Sequence, residues 1–110
     1  MKKLAIIGSR NITNVNLAEM LPFKPDVIVS GGAKGIDSLA KEYALSHNIA
    51  LEEYKPDYKR YGRGAPLKRN HLIIENCDEV LAVWDGVSKG TAYTIKVARD
   101  MGKVVHIHRV

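Results

Sequence analysis

Apolar residues come in short blocks along this chain, and the spacing inside the blocks switches between two periods. Leu4 to Ile7 is a continuous apolar run within a first strand, Lys3 to Ile7, ended by Gly8-Ser9-Arg10-Asn11. Val27-Ile28-Val29 stops at Ser30, and Glu79 to Trp84 is almost wholly apolar. Runs this short and continuous predict strands buried on both faces. Ala50 to Tyr54 carries Glu52 and Glu53 and reads as a strand at a sheet edge, where charge discourages mispairing. Val104 to Arg109 reads as the last strand.

Between these blocks the period becomes helical. Ile36, Leu39, Ala40, Tyr43 and Ala44 share one face of a helix running to about Asn48. Asn14 is the expected cap of a short helix to about Leu21, stopped by Pro22 and Pro25. A third helix spans about Pro66 to Asn76, with Leu67, His71 and Ile74 facing inward. A fourth runs from Thr91 to Met101, and Gly102 is a natural residue to follow its end. Tyr54 to Pro66 has two prolines, two glycines and no period, which predicts a long loop of functional use.

Strands alternating with helices predict an α/β fold with a parallel five-stranded sheet and helices on both faces. A chain of 110 residues is expected to form one domain, residues 1–110. Met1-Lys2-Lys3 precedes too few apolar residues for a secretory core, no run reaches the length of a membrane span, and a cytoplasmic location is the default. The one cysteine, Cys77, excludes a disulfide framework within the monomer and a cysteine metal cluster. His106 and His108 share a strand face without an evident third ligand, so no metal is expected.

Charge changes the picture. Of a net +5, the whole excess lies between Lys55 and Arg69, where Lys55, Lys59, Arg60, Arg63, Lys68 and Arg69 face the single acid Asp57. The rest of the chain has equal numbers of basic and acidic residues. An excess so local points to an anionic partner at one place.

Three strand-to-helix turns carry the candidate chemistry. The first is Gly8-Ser9-Arg10, offering a hydroxyl and a planar cation. The second is Ser30-Gly31-Gly32-Ala33-Lys34-Gly35-Ile36-Asp37, where three glycines permit positive φ and close ligand approach at a helix N-terminus. Its spacing fits neither GxGxxG nor GxxxxGK[ST]. The third is Asp85-Gly86-Val87-Ser88-Lys89-Gly90-Thr91. Asp37 is suited either to capping or to ribose hydroxyls, and Asp85 to ligand contact or catalysis; Arg69 and Asn70 are placed for phosphate or base. In a parallel sheet all three turns fall at the strands' carboxyl ends, where ligands bind.

This ordered set of motifs resembles the SLOG superfamily, the Rossmann-like group containing the DprA/Smf and LOG proteins, and most closely its YspA-related branch. The resemblance implies a three-layer Rossmann-like domain with strand order 3-2-1-4-5 and a pocket for a nucleotide or nucleotide-derived ligand, with no other cofactor assigned. The phosphoribohydrolases of the LOG type carry PGGxGTxxE at the third turn, whereas here Gly90-Thr91 is followed by Ala92, Tyr93 and Thr94. Thr94 stands in place of the glutamate and cannot serve as a carboxylate. Three readings stay open. One is a nucleotide-binding or sensing domain, one a nucleotide hydrolase using Asp85 or Asp37. The third is single-stranded nucleic-acid binding, suggested by DprA kinship and by Tyr54, Tyr58 and Tyr61 among the cations of the basic segment. Homo-oligomerisation is compatible with each.

Overall fold

The computed structural model describes all 110 residues. Its elements, in chain order, are β1 (Lys3–Gly8), α1 (Leu17–Met20), β2 (Val27–Ser30), α2 (Ile36–Ser46), β3 (Ala50–Glu53) and α3 (Tyr58–Tyr61). A 3-10 turn (Gly62–Gly64), α4 (Ala65–Glu75), β4 (Glu79–Trp84), α5 (Lys89–Asp100) and β5 (Val104–Arg109) complete the chain. The five strands form one sheet in the order β3-β2-β1-β4-β5, and every neighbouring pair is parallel. The expected α/β class, strand order and edge position of β3 are therefore found.

Because side chains alternate across a strand, the apolar runs divide between two cores. Ala5, Ile7, Val27, Val29, Val80 and Ala82 face α4 and α5, which contribute Ile73, Ile74, Ile95 and Ala98. Leu4, Ile6, Ile28, Leu81 and Val83 face the other way, onto Leu17 of α1 and Ile36, Ala40 and Ala44 of α2. The central strands β1, β2 and β4 show continuous burial for this reason. Cys77 is buried in the first core, and burial pushes its thiol up to about 11.

Three local expectations change. The cap of α1 is Asn16, whose Oδ1 accepts from the Ala18 amide at 3.2 Å, and not Asn14. The segment after β3 is not one long loop but the turn of helix α3, a 3-10 turn and the start of α4. Asp57 caps α3 through the Arg60 amide, and no residue of α3 or of the 3-10 turn is buried. A helix with no buried face leaves no apolar period to read. Within α4, Ile74 is buried as expected, but Leu67 is 41% exposed and Ile73 turns inward in its place. His71 is half-buried and bonds to the Tyr93 hydroxyl at 3.1 Å.

Candidate functional site

The sheet's strand order reverses at β1: β1 leads through α1 to β2 on one side, while β4 lies against its other side. A crevice opens at the carboxyl ends of strands on either side of such a point. Here it is a cavity of about 480 Å³, within the range of small-ligand sites. Gly8, Ser9 and Arg10 line it from β1, Ala33 and Asp37 from the turn after β2, and Arg69 and Asn70 from α4. Asp85, Ser88, Lys89, Gly90 and Thr91 close it from the turn after β4. The three motifs thus meet in one site.

The turn after β2 is built inward. A Cβ on Gly31 would run into the Arg69 guanidinium, one on Gly35 into the Arg10 carbonyl, and one on Gly32 would lie 2.9 Å from Glu53 Oε2. Gly32 and Gly35 have φ of 70° and 72°. These glycines are required by backbone conformation and by protein packing. Ser30, Gly31, Gly32, Lys34 and Gly35 lie outside the cavity lining, and Ala33 is the turn's residue inside it. The Ala33 amide donates to Asp37 Oδ2 at 3.0 Å, so Asp37 ties the turn to the first turn of α2. Burial raises the Asp37 pKa, although the Ala33 amide and the Arg69 charge pull the other way.

Arg69 is the buried post behind this turn. Its Nη1 donates to the Gly31 carbonyl at 2.7 Å and to the Tyr54 carbonyl at 3.4 Å, and its Nε donates to Asn70 Oδ1 at 2.8 Å. Burial lowers its pKa, with the Asp37 charge opposing. Most of its donors are thus used within the protein, which makes it a holder of the turn as well as a cavity wall. Ser30, beneath the same turn, keeps a buried hydroxyl without a hydrogen-bond partner.

The turn after β4 is built outward. Asp85 accepts from the Val87 amide at 2.9 Å, the Ser88 amide at 2.7 Å and the Ser88 hydroxyl at 2.8 Å. Those donors hold its pKa down at about 2, so the carboxylate stays ionised and occupied. Its own amide donates to Ser9 Oγ at 3.3 Å, joining the first and third turns. Gly86, with φ of 86°, packs under Arg109 and lies outside the cavity. No side chain caps α5, and Gly90 faces open space. The first turn of α5 therefore presents free amides, the positive end of the helix dipole and the exposed Lys89 to the cavity.

Thr94 also lines the cavity. Its hydroxyl donates to the Gly90 carbonyl at 2.9 Å and accepts from Asn70 Nδ2 at 3.0 Å, bridging α5 to α4. The position four residues after Gly90 was visible as the site of a missing glutamate, but its role as a polar bridge was not. Asn11, Pro66 and Leu67 complete the rim and were not among the expected ligand contacts. Asn11 directly follows the first motif, which was its only signal.

Residues 3–61, from β1 through α3, match the YAcAr family, described as the YspA, cpYpsA-related SLOG family. The chain belongs to that family. This SLOG chain is also similar to the Gene 61 protein of Mycobacterium phage D29, at 31% identity over 115 residues, covering 93% of this chain and 92% of that protein. No solved structure matches it. SLOG membership indicates nucleotide-related binding or processing in general, and no helix here is long and apolar enough to cross a membrane.

Proposed function

We propose that the cavity binds a nucleotide or nucleotide-derived small molecule, with its phosphate on the first turn of α5 and its sugar hydroxyls toward Asp37. The observation that carries this reading is the uncapped N-terminus of α5, with Lys89 beside it, opening into the cavity that Asp37 borders on the opposite side. Free amides and a lysine suit an anion, and a carboxylate suits vicinal hydroxyls. Arg10 is exposed at the rim and adds a second cation for a phosphate.

Binding is favoured over hydrolysis by the state of the polar groups. The Asp85 carboxylate accepts three hydrogen bonds from its own turn and the Thr94 hydroxyl both donates and accepts within the protein. Of the carboxyls expected to do chemistry, Asp37 alone retains the raised pKa of a candidate proton donor. A nucleotide hydrolase would accordingly work through Asp37.

A thermal-shift screen with nucleoside monophosphates, cyclic dinucleotides and ADP-ribose tests the reading. A ligand at a hundredfold its Kd contributes about 2.7 kcal/mol, which for a chain of this size raises Tm by on the order of 10 °C. The shift is expected to weaken at least tenfold in apparent affinity in Lys89→Ala. A selective shift that Lys89→Ala leaves intact would place the phosphate elsewhere, and base release abolished in Asp37→Asn would establish the hydrolase.

A further inference from the structure

The cavity leaves most of the chain's positive charge unused. Lys55, Lys59, Arg60, Arg63 and Lys68 are all exposed, and none takes part in an ion pair. The one acid among them, Asp57, is turned onto the Arg60 amide as the cap of α3. The same segment displays Tyr58, 58% exposed, and Tyr61, 40% exposed. The Arg60 guanidinium lies 5.4 Å and the Lys68 ammonium 5.8 Å from the Tyr61 ring centroid, so cations and ring form one surface. Gly62 and Gly64 have nothing within reach of a side chain, which leaves the backbone between the cations open.

We propose that this face, formed by α3, the 3-10 turn and the first turn of α4, binds single-stranded nucleic acid. Phosphates lie along the cations, and bases stack on Tyr58 and Tyr61. Interleaved cations and exposed aromatics are what a strand with accessible bases requires. A duplex offers its bases only in grooves that admit a helix or ribbon, and α3 is a single turn of four residues. A membrane surface would call for an exposed apolar face, and α3 with the 3-10 turn, Tyr-Lys-Arg-Tyr-Gly-Arg-Gly, carries no aliphatic residue. Pro66, Leu67 and Arg69 border the cavity, so the strand would pass its mouth. The inference stands on the surface alone and does not depend on what the cavity holds.

The test is fluorescence anisotropy of the full chain with labelled dT15 from 50 to 300 mM NaCl. Each phosphate contacted on a single strand contributes about −0.7 to the slope of log K against log salt, so the five cations together predict a slope of about −3.5. The Lys59→Ala/Arg60→Ala/Arg63→Ala variant, whose three side chains are exposed and outside both cores, is expected to keep its Tm and to lose about 2 of that slope. Tyr58→Ala is expected to weaken dT15 about tenfold. Polyglutamate of matched charge is expected to bind far less tightly than dT15. Absence of binding at 50 mM salt, an unchanged slope in the triple variant, or equal binding of polyglutamate with no effect of Tyr58→Ala would each overturn the proposal; the last outcome would point to an acidic protein. Mononucleotide thermal shifts are expected to be unchanged in the triple variant, which separates this surface from the cavity.

Discussion

Two glycine-rich turns leave the two parallel strands that flank β1, and they use glycine for opposite purposes. After β2, Gly31 and Gly35 are buried against Arg69 and the Arg10 carbonyl, and Asp37 folds back on the turn. After β4, Gly90 faces open space at the uncapped start of α5, and Asp85 holds the turn rigid from behind. The acids differ in the same sense. Burial raises the pKa of Asp37, whereas three donated hydrogen bonds depress that of Asp85. A glycine cluster therefore reports close backbone approach, and the fold decides whether protein or ligand is what approaches.

The largest effect is expected at Gly35. An alanine there needs φ near 72° and places its Cβ against the Arg10 carbonyl, for a combined cost of about 3 kcal/mol or more. Urea denaturation of Gly35→Ala measures it. A cost below about 1 kcal/mol would mean that the turn relaxes freely, and the contrast between the two turns would fail.

The acids supply an intermediate effect that depends on pH. The Asp85 pKa is lower in the folded chain than its ordinary 3.8, so its stabilisation is complete above about pH 4 and is lost as pH falls toward about 2. Asp37 has the opposite sign. Its raised folded pKa means that stability attached to its protonated form is present below 3.8 and is lost as pH rises through the folded value. Tm profiles from pH 2 to 6 are expected to flatten at the acid end in Asp85→Asn. In Asp37→Asn they are expected to steepen there. Parallel profiles for the two variants would show that the turns do not differ electrostatically.

The smallest effect is expected at Gly90. With open space where its Cβ would go, Gly90→Ala is expected to raise stability by about 0.5 kcal/mol through helix propensity. Differential scanning calorimetry reads the sign, and a clear loss would show that the start of α5 is as tightly built as the turn after β2.

The strands were legible because burial on both faces writes continuous apolar runs, as in Val27-Ile28-Val29 and in Val80 to Val83. The helices α2 and α5 were legible because each buries one face. The α3 turn was not, since it buries nothing and is held by a single cap. Of the candidate site, the three motifs were readable as turn chemistry next to strand ends, and twelve of the expected ligand contacts line the cavity. Gly31 and Arg69 were not readable as partners, because they lie 38 residues apart and meet only where the turn after β2 packs against α4.

The sequence by itself determined the alternation of strands and helices, the positions of the turns and the segment in which the charge collects. Each of these follows from local period, backbone restriction or composition. Tertiary structure decided which donors and acceptors were left over. Asp85 and Thr94 are occupied, the glycines after β2 are packed from behind, and the first turn of α5 with the cations of α3 remains open. The bonds of Asp85 are made within its own turn, but the Asn70–Thr94 bridge and the packing behind the glycines depend on contacts between distant segments, which fold geometry sets and local spacing does not encode.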